Sequence, residues 1–204
     1  AHYLTAATSG AATGATTIKY ALEEDAADDE WYDSVEEAVL GRTDVGSTTI
    51  YAKATNPNYE NEAKDSAVLT VTAREITLTG NSDTKTYTGK ELEVTGFTAG
   101  AGQLVSGHEV DASAKAAGTD VGTYPGTITD AKDVKIKDAD GKDVTKNYNI
   151  KTAPGQLVIE VAESFSITLN DKTEGYNAEA HYLTAATSGA ATGATTIKYA
   201  LEED

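Results

Sequence analysis

The sequence predicts an all-β chain, built of small β-sandwich modules of two alternating types laid end to end. Three observations lead there. Residues 1–25, AHYLTAATSGAATGATTIKYALEED, recur letter for letter at 180–204, an offset of 179 residues. Thr, Val and Ile stand in short alternating runs, the mark of half-buried strands, and turn residues separate the runs. No segment of useful length carries the 3.6-residue period of an amphipathic helix.

The repeat sets the organisation, because a fixed period is the signature of a tandem architecture. Packing constraints alone would leave two copies free to differ at solvent positions. Unbroken identity leaves two readings, a duplication introduced by design or, the one favoured, a window on a longer tandem array. Ala1 falls in the middle of a module, with no Met, signal peptide or tag ahead of it. The expected ranges are a first-type module over 1–73 that lacks its opening strand, a complete second-type module over 74–160, and the opening part of the next first-type module over 161–204. The residues that should precede Ala1 in its own module are then visible at 161–179. The two copies, 1–25 and 180–204, are expected to share one conformation.

In the first module, Ile18, Tyr20 and Leu22 alternate, and Glu23 to Glu37 is an acidic connector holding Trp31 and Tyr32. Thr43-Asp44-Val45-Gly46 reads as a turn into a strand with Ile50, Ala52 and Ala54 on one face, broken by Asn56-Pro57-Asn58. Ala67 to Thr72 closes the module, and Arg74 to Thr79 opens the next with almost no linker, which implies a stiff junction. Leu92 and Val94 alternate, Gly96 to Gly107 is a Gly-rich loop, and Val110, Ala112, Ala114 and Ala116 form one alternating run. A second Thr119-Asp120-Val121-Gly122 leads to Tyr124 and Ile128. Val134 and Ile136 form a strand ending at Asp138-Ala139-Asp140-Gly141, and Pro154-Gly155 turns into a closing strand through Leu157 and Ile159. Phe165, Ile167 and Leu169 open the third module. Tyr87 and Tyr176 follow opening strands 89 residues apart, and Asn58-Tyr59 and Asn147-Tyr148 precede closing strands at the same spacing. Roughly seven short strands per module is the pattern of an Ig-like sandwich.

Composition narrows the function classes. Hydrophobic residues make up 39%, enough for small cores. The net charge is −17; the duplicated stretch carries −2, which leaves −15 for one period. Such a surface repels nucleic acid and anionic membrane and keeps a long polymer soluble. With no Cys, disulfides, thiolate catalysis and thiolate metal sites are excluded. The lack of Met suits long exposure outside a cell. No apolar run approaches the roughly 20 residues that span a bilayer.

The stretch from Arg74 to Ile159 resembles an MBG-type bacterial Ig-like domain. The motifs that carry the resemblance are Tyr87-Thr88-Gly89, with Thr88 where the family has Asp, then Asp120-Val121-Gly122-Thr123-Tyr124, Asp138 to Tyr148, and Gly155-Gln156-Leu157-Val158-Ile159. The alternate module is similar to a sister type through Asp44-Val45-Gly46, Tyr51-Ala52-Lys53 and Asn56-Pro57-Asn58-Tyr59, with Tyr176-Asn177-Ala178 departing from the first motif. The resemblance implies large secreted or wall-attached bacterial surface proteins, in which such modules form stalks, and implies no catalytic residues. The expected function is a structural repeat segment of a long extracellular bacterial fibre, filament or stalk, whose partner is itself. The alternatives are an adhesin module binding a host glycan or protein, and separate subunits polymerised by donor-strand exchange through 161–179.

Candidate sites weigh little against bland readings. Asp138, Asp140 and Asp143 surround Gly141 like the start of a calcium loop, but Asn149 stands where an EF-hand needs its last carboxylate, so Asp140-Gly141 reads first as a hairpin turn. No other cofactor is expected. Trp31 and Tyr32 would serve either as a carbohydrate-stacking platform or as packing aromatics at a module edge or joint. Tyr59 and Tyr148 are placed as a tyrosine corner would be. The acids between Asp25 and Glu37 could match Lys132, Lys135, Lys137, Lys142 and Lys146 on a neighbouring module. Ser82-Asp83-Thr84-Lys85 is a lone Ser-x-x-Lys match without its partner motifs, and His2, His108 and His181 lack metal-spaced companions, so an enzyme is not expected. Lys85, Lys90 and Asn147 are the residues from which a Lys–Asn isopeptide bond could form. Such a bond expels ammonia, so intact-mass measurement tests it: a loss of one ammonia per module supports the cross-link, and the full calculated mass rejects it.

Overall fold

The computed structural model describes residues 1–4, 6, 15–37, 39–188 and 195–200. Strands and turns account for the described residues together with two 3-10 turns, Asp28–Glu30 and Thr145–Asn147, and there is no α-helix among them. The architecture is all-β, in several small sheets. The chain divides into two compact units. The first holds Ala1–Ile76 with Val105–Val110 and Lys135–Asn149; the second holds Thr77–Leu104, Asp111–Val134 and Ile150–Asp204. Residues 105–110 and 135–149 fall within the 74–160 range marked out from the sequence, yet pack with the first unit.

In the first unit, β1 (Thr17–Ala21), β2 (Gly46–Thr55) and β3 (Ala63–Val71) form an antiparallel sheet with β2 central. The register sets Tyr20 opposite Ala52 and Ile50 opposite Ala67. Tyr20, Leu40 and Ile50 are buried as a cluster against Leu4, Ile18, Tyr32, Val35 and Ala52. Leu22, expected on the face of Ile18 and Tyr20, lies past the end of β1 and is exposed. Leu22 itself stands in the bend that leads into the turn at Glu24 and Asp25, and there the alternation stops mattering.

The chain continues through β4 (Arg74–Gly80), β5 (Asp83–Thr86), β6 (Leu92–Thr95), β7 (Phe97–Ala99), β8 (Glu109–Asp111), β9 (Ala114–Gly118), β10 (Gly122–Pro125), β11 (Thr127–Ile128), β12 (Lys135–Lys137), β13 (Tyr148–Ala153) and β14 (Gln156–Glu160). In the second unit, β14 runs between β10, antiparallel, and β5, parallel. β9 runs between β6 and β11. Period-two burial is clean where sequence alternation is clean: Ala114 and Ala116 on β9, Leu157 and Ile159 on β14. Ala116, Leu157 and Ile159 form the buried centre, flanked by Tyr87, Leu92, Val94 and Tyr124.

Two expectations change here. The run Val110 to Ala116 is not one strand, because β8 pairs with β12 whereas β9 pairs with β6 and β11. The chain switches sheets at Ala112-Ser113, where the Ser113 N–H donates to Thr129 Oγ1 at 2.9 Å. The Gly-rich stretch 96–107 is not all loop, since Phe97–Ala99 is β7, with Phe97 opposite Gly80.

The duplicated segment behaves differently in its two settings. In the first, Thr17–Ala21 is β1, paired to β2. In the second, the identical residues 196–200 form no strand. No described strand pairs with residues 196–200, and an unpaired strand has nowhere to place its amides. One contact recurs: the Ala6 N–H donates to the Tyr20 hydroxyl at 3.4 Å, and the Ala185 N–H to the Tyr199 hydroxyl at 3.2 Å. That contact is all the two settings share here: Tyr20 is buried in β1 whereas Tyr199 is exposed outside any strand, so the expectation of a shared conformation fails. At 5, 7–14, 189–194 and 201–204 it lies outside the described residues. Ahead of the second copy, β15 (Ser166–Leu169) pairs antiparallel with β16 (Ala185–Ser188), and Phe165, Ile167 and Leu169 stay exposed.

Gly155 has a specific reason to be glycine. A Cβ there would collide with the backbone carbonyls of Asn81 and Gly80, while its own carbonyl accepts the Gly126 N–H at 2.8 Å. Gly155→Ala forces backbone apart and is expected to cost about 1–3 kcal/mol in a urea titration. Leu40→Ala removes a fully buried side chain from the first cluster and is expected to cost about 2–5 kcal/mol. Trp31, the single tryptophan, lies in the same unit and reports that loss by fluorescence.

Candidate functional site

The most elaborate polar constellation among the described residues is built on Thr43-Asp44-Val45-Gly46. Arg42 shapes this turn from within. Its guanidinium donates to the carbonyls of Asp44 (3.4 Å), Val45 (3.1 Å) and Ser47 (3.1 Å) and to Thr48 Oγ1 (2.6 Å). Gly46 follows at φ 138°, where a Cβ would also strike Arg42. So held, the turn presents a carboxylate and an N–H side by side.

Asn147, about a hundred positions along the chain, answers both. Its Nδ2 donates to Asp44 Oδ1 at 2.8 Å, and its Oδ1 accepts the Val45 N–H at 2.9 Å. Lys146 adds an ion pair to Asp44 Oδ2 at 2.9 Å. Asn147 is aimed by the 3-10 turn Thr145–Asn147, anchored where Thr145 Oγ1 accepts the Ile136 N–H at 2.8 Å. The next residue, Tyr148, is buried, and its hydroxyl accepts the Val105 N–H at 3.2 Å and lies 2.7 Å from His108 Nδ1. Tyr148 thus has a structural role, but it ties to backbone 43 positions upstream rather than to a local corner. The local version belongs to Tyr124, whose hydroxyl donates to the Asp120 carbonyl at 2.8 Å and accepts the Asp120 N–H at 3.1 Å.

The Lys146 ammonium and then the Asn147 amide hold the Asp44 carboxyl down at about 2, against partial desolvation that opposes them. Sequence reading missed this constellation, although both halves were in view. Each motif recurs in the chain, and nothing in spacing links residues so far apart.

Trp31 is 7% exposed, its indole N–H donates to the Ala26 carbonyl at 3.1 Å, and Lys53 Nζ sits 4.2 Å from its ring centroid. Ammonium covers the face that a sugar would need, a cation–π arrangement. Tyr32 is half-buried, and its backbone exchanges hydrogen bonds with Tyr20 at 2.8 and 2.9 Å. Tyr32 packs against the cluster of Tyr20, Leu40 and Ile50 in the first unit. A small groove beside Trp31, lined by Glu24, Tyr51, Ala52, Lys64, Asp65 and Ser66, encloses about 160 Å³.

Asp138, Asp140 and Asp143 do not converge. Asp138 Oδ1 accepts the N–H groups of Asp140 (3.1 Å) and Lys142 (2.9 Å), closing the turn at Gly141, φ 79°. Asp143 Oδ1 accepts the Thr145 N–H at 2.9 Å, and bonding to Thr145 lowers its carboxyl below the ordinary value. Among the described residues no group of three His, Asp or Glu side chains is arranged to hold a metal. Of the lysines matched against the acidic connector, Lys146 goes instead to Asp44, and Lys132 to its neighbours Asp130 and Asp133. Lys19 and Lys53 are the cations that meet the connector, at Asp33 and Asp28. Ser82 Oγ accepts the Gln156 N–H, while Lys85 Nζ donates to the Glu93 carbonyl at 2.6 Å. His181 bonds Asn177, and His2 forms a backbone bridge with Arg42.

Because the folded-state value of Asp44 is depressed from 3.8 to about 2, its stabilisation is complete above the unfolded value and disappears as pH falls through the folded one. Hydrogen-exchange protection of the Val45 N–H is expected to hold down to about pH 4 and to fall between about pH 4 and 2. Asn147→Ala is expected to remove that protection at every pH. Unchanged protection in the variant would show that the turn is closed by something else. No family model, curated protein or solved structure matches the chain.

Proposed function

We propose that the chain is a structural repeat segment of a long extracellular bacterial fibre, filament or surface stalk, made of Ig-like β-sandwich modules of the MBG type in two alternating forms. The single observation that carries this reading is the letter-for-letter recurrence of residues 1–25 at 180–204. The constellation at Asp44 supports it. It ties the 1–73 range to the 74–160 range with two hydrogen bonds and an ion pair, which stiffens a junction that has almost no linker. Lack of Cys and Met and a strongly acidic surface suit an exposed polymer.

Donor-strand exchange between separate chains is the second reading. It is favoured by the β15–β16 hairpin, a two-stranded piece whose Phe165, Ile167 and Leu169 are 58, 56 and 51% exposed. Isolated hairpins are marginal in water, and this one gains from any sheet that covers it. The adhesin reading has less support, because the Trp31 ring is buried under Lys53.

Denaturing electrophoresis of native material separates the first two. A covalent array gives one band of very high mass. Separate subunits give a band near 21 kDa, which would overturn the array.

A further inference from the structure

The constellation at Asp44 has two halves, and each half occurs twice in the chain. Thr43-Asp44-Val45-Gly46 recurs as Thr119-Asp120-Val121-Gly122. Both are bends, both end in a glycine of positive φ, 138° and 157°, and both deliver the chain into a strand at that glycine. The answering Asn147-Tyr148 recurs as Asn58-Tyr59. In both places the tyrosine N–H closes on the carbonyl three residues back, Tyr148 on Thr145 and Tyr59 on Asn56, the latter at 3.0 Å. Asn56 holds its turn rigid: it is buried, donates to Thr16 Oγ1 at 2.7 Å, and accepts the Asn58 N–H at 2.9 Å.

One pairing is made within the chain. The other two halves stand open. Asp120, Val121 and Asn58 are exposed. Among the described residues, Asp120 and Asn58 are bonded only through their backbones, leaving the carboxylate and the side-chain amide to solvent.

Resting on the repeat reading above, we propose that the Asp120-Val121 turn of one copy takes Asn58 of a second copy, as Asp44-Val45 takes Asn147. The translation is direct. The first module's turn meets the asparagine of the module that follows it, and the module that follows the second is another copy of the first. The Asn58 amide would donate to the Asp120 carboxylate and accept the Val121 N–H. The two joints are not equal: Lys146 precedes Asn147, but Pro57 precedes Asn58, so the second joint has no ion pair.

The chain has no native cysteine, so single-cysteine chains report the contact cleanly. Full-length chains carrying Pro57→Cys, beside an intact Asn58, and Val121→Cys are mixed and oxidised, with Pro57→Cys plus Thr98→Cys as control, since Pro57 and Thr98 are also exposed. The joint predicts a mixed dimer forming about tenfold faster than the control pair, a preference of about 1.4 kcal/mol. Adding Asp120→Ala to the Val121→Cys chain should return it to the control rate. Equal rates for the two pairs, or acceleration that survives Asp120→Ala, overturn the proposal. Electrophoresis of native material reads the array separately. Control-rate cross-linking beside a native band of very high mass discards this joint and keeps the array. Accelerated cross-linking beside a native band near 21 kDa keeps the joint, between separate chains, and discards the array.

Discussion

The constraint that governs this chain is that a strand exists only where another strand answers its amides. Its sheets have two or three strands, so each strand leans on one or two neighbours and there is little redundancy. The duplicated segment makes the point without any change of sequence. Beside β2, the residues Thr-Ile-Lys-Tyr-Ala form a strand that buries a tyrosine and an alanine; at 196–200 the same five residues form none. Intrinsic β preference is therefore a weak term here, and pairing is the strong one.

The same economy explains why side-chain clamps matter. Where sheets are small, edges and turns are fixed by groups that reach across long sequence distances. Asn147 satisfies a carboxylate and an N–H at one turn, Tyr148 satisfies an N–H beside His108, and Lys53 lies over Trp31. These contacts carry more geometric information than burial alone, because each fixes both distance and direction.

Much of the fold was legible in the sequence. Ile76 and Leu78 on β4, and Leu157 and Ile159 on β14, lie buried where alternation places them. What was not legible depended on partners. Val110 to Ala116 alternates without interruption, yet splits because its two halves pair in different sheets. Phe97–Ala99 hides in a Gly-rich stretch and becomes a strand because Gly80, Thr79 and Leu78 offer it a ladder. For the candidate site the two motifs were visible and their meeting was not, since Asp44 and Asn147 share no periodicity. Trp31 lies buried and Tyr32 half-buried, which no alternation in that acidic stretch foretells.

The tyrosine–amide contact shared by the two copies has a kinetic meaning. It spans 14 residues, so it closes a short loop, and it is present whether or not the distant strand has arrived. Closing so short a loop costs little entropy and takes well under a microsecond in an unfolded chain. A segment carrying its own local staple can begin to organise as soon as it is synthesised, before any sheet has formed around it.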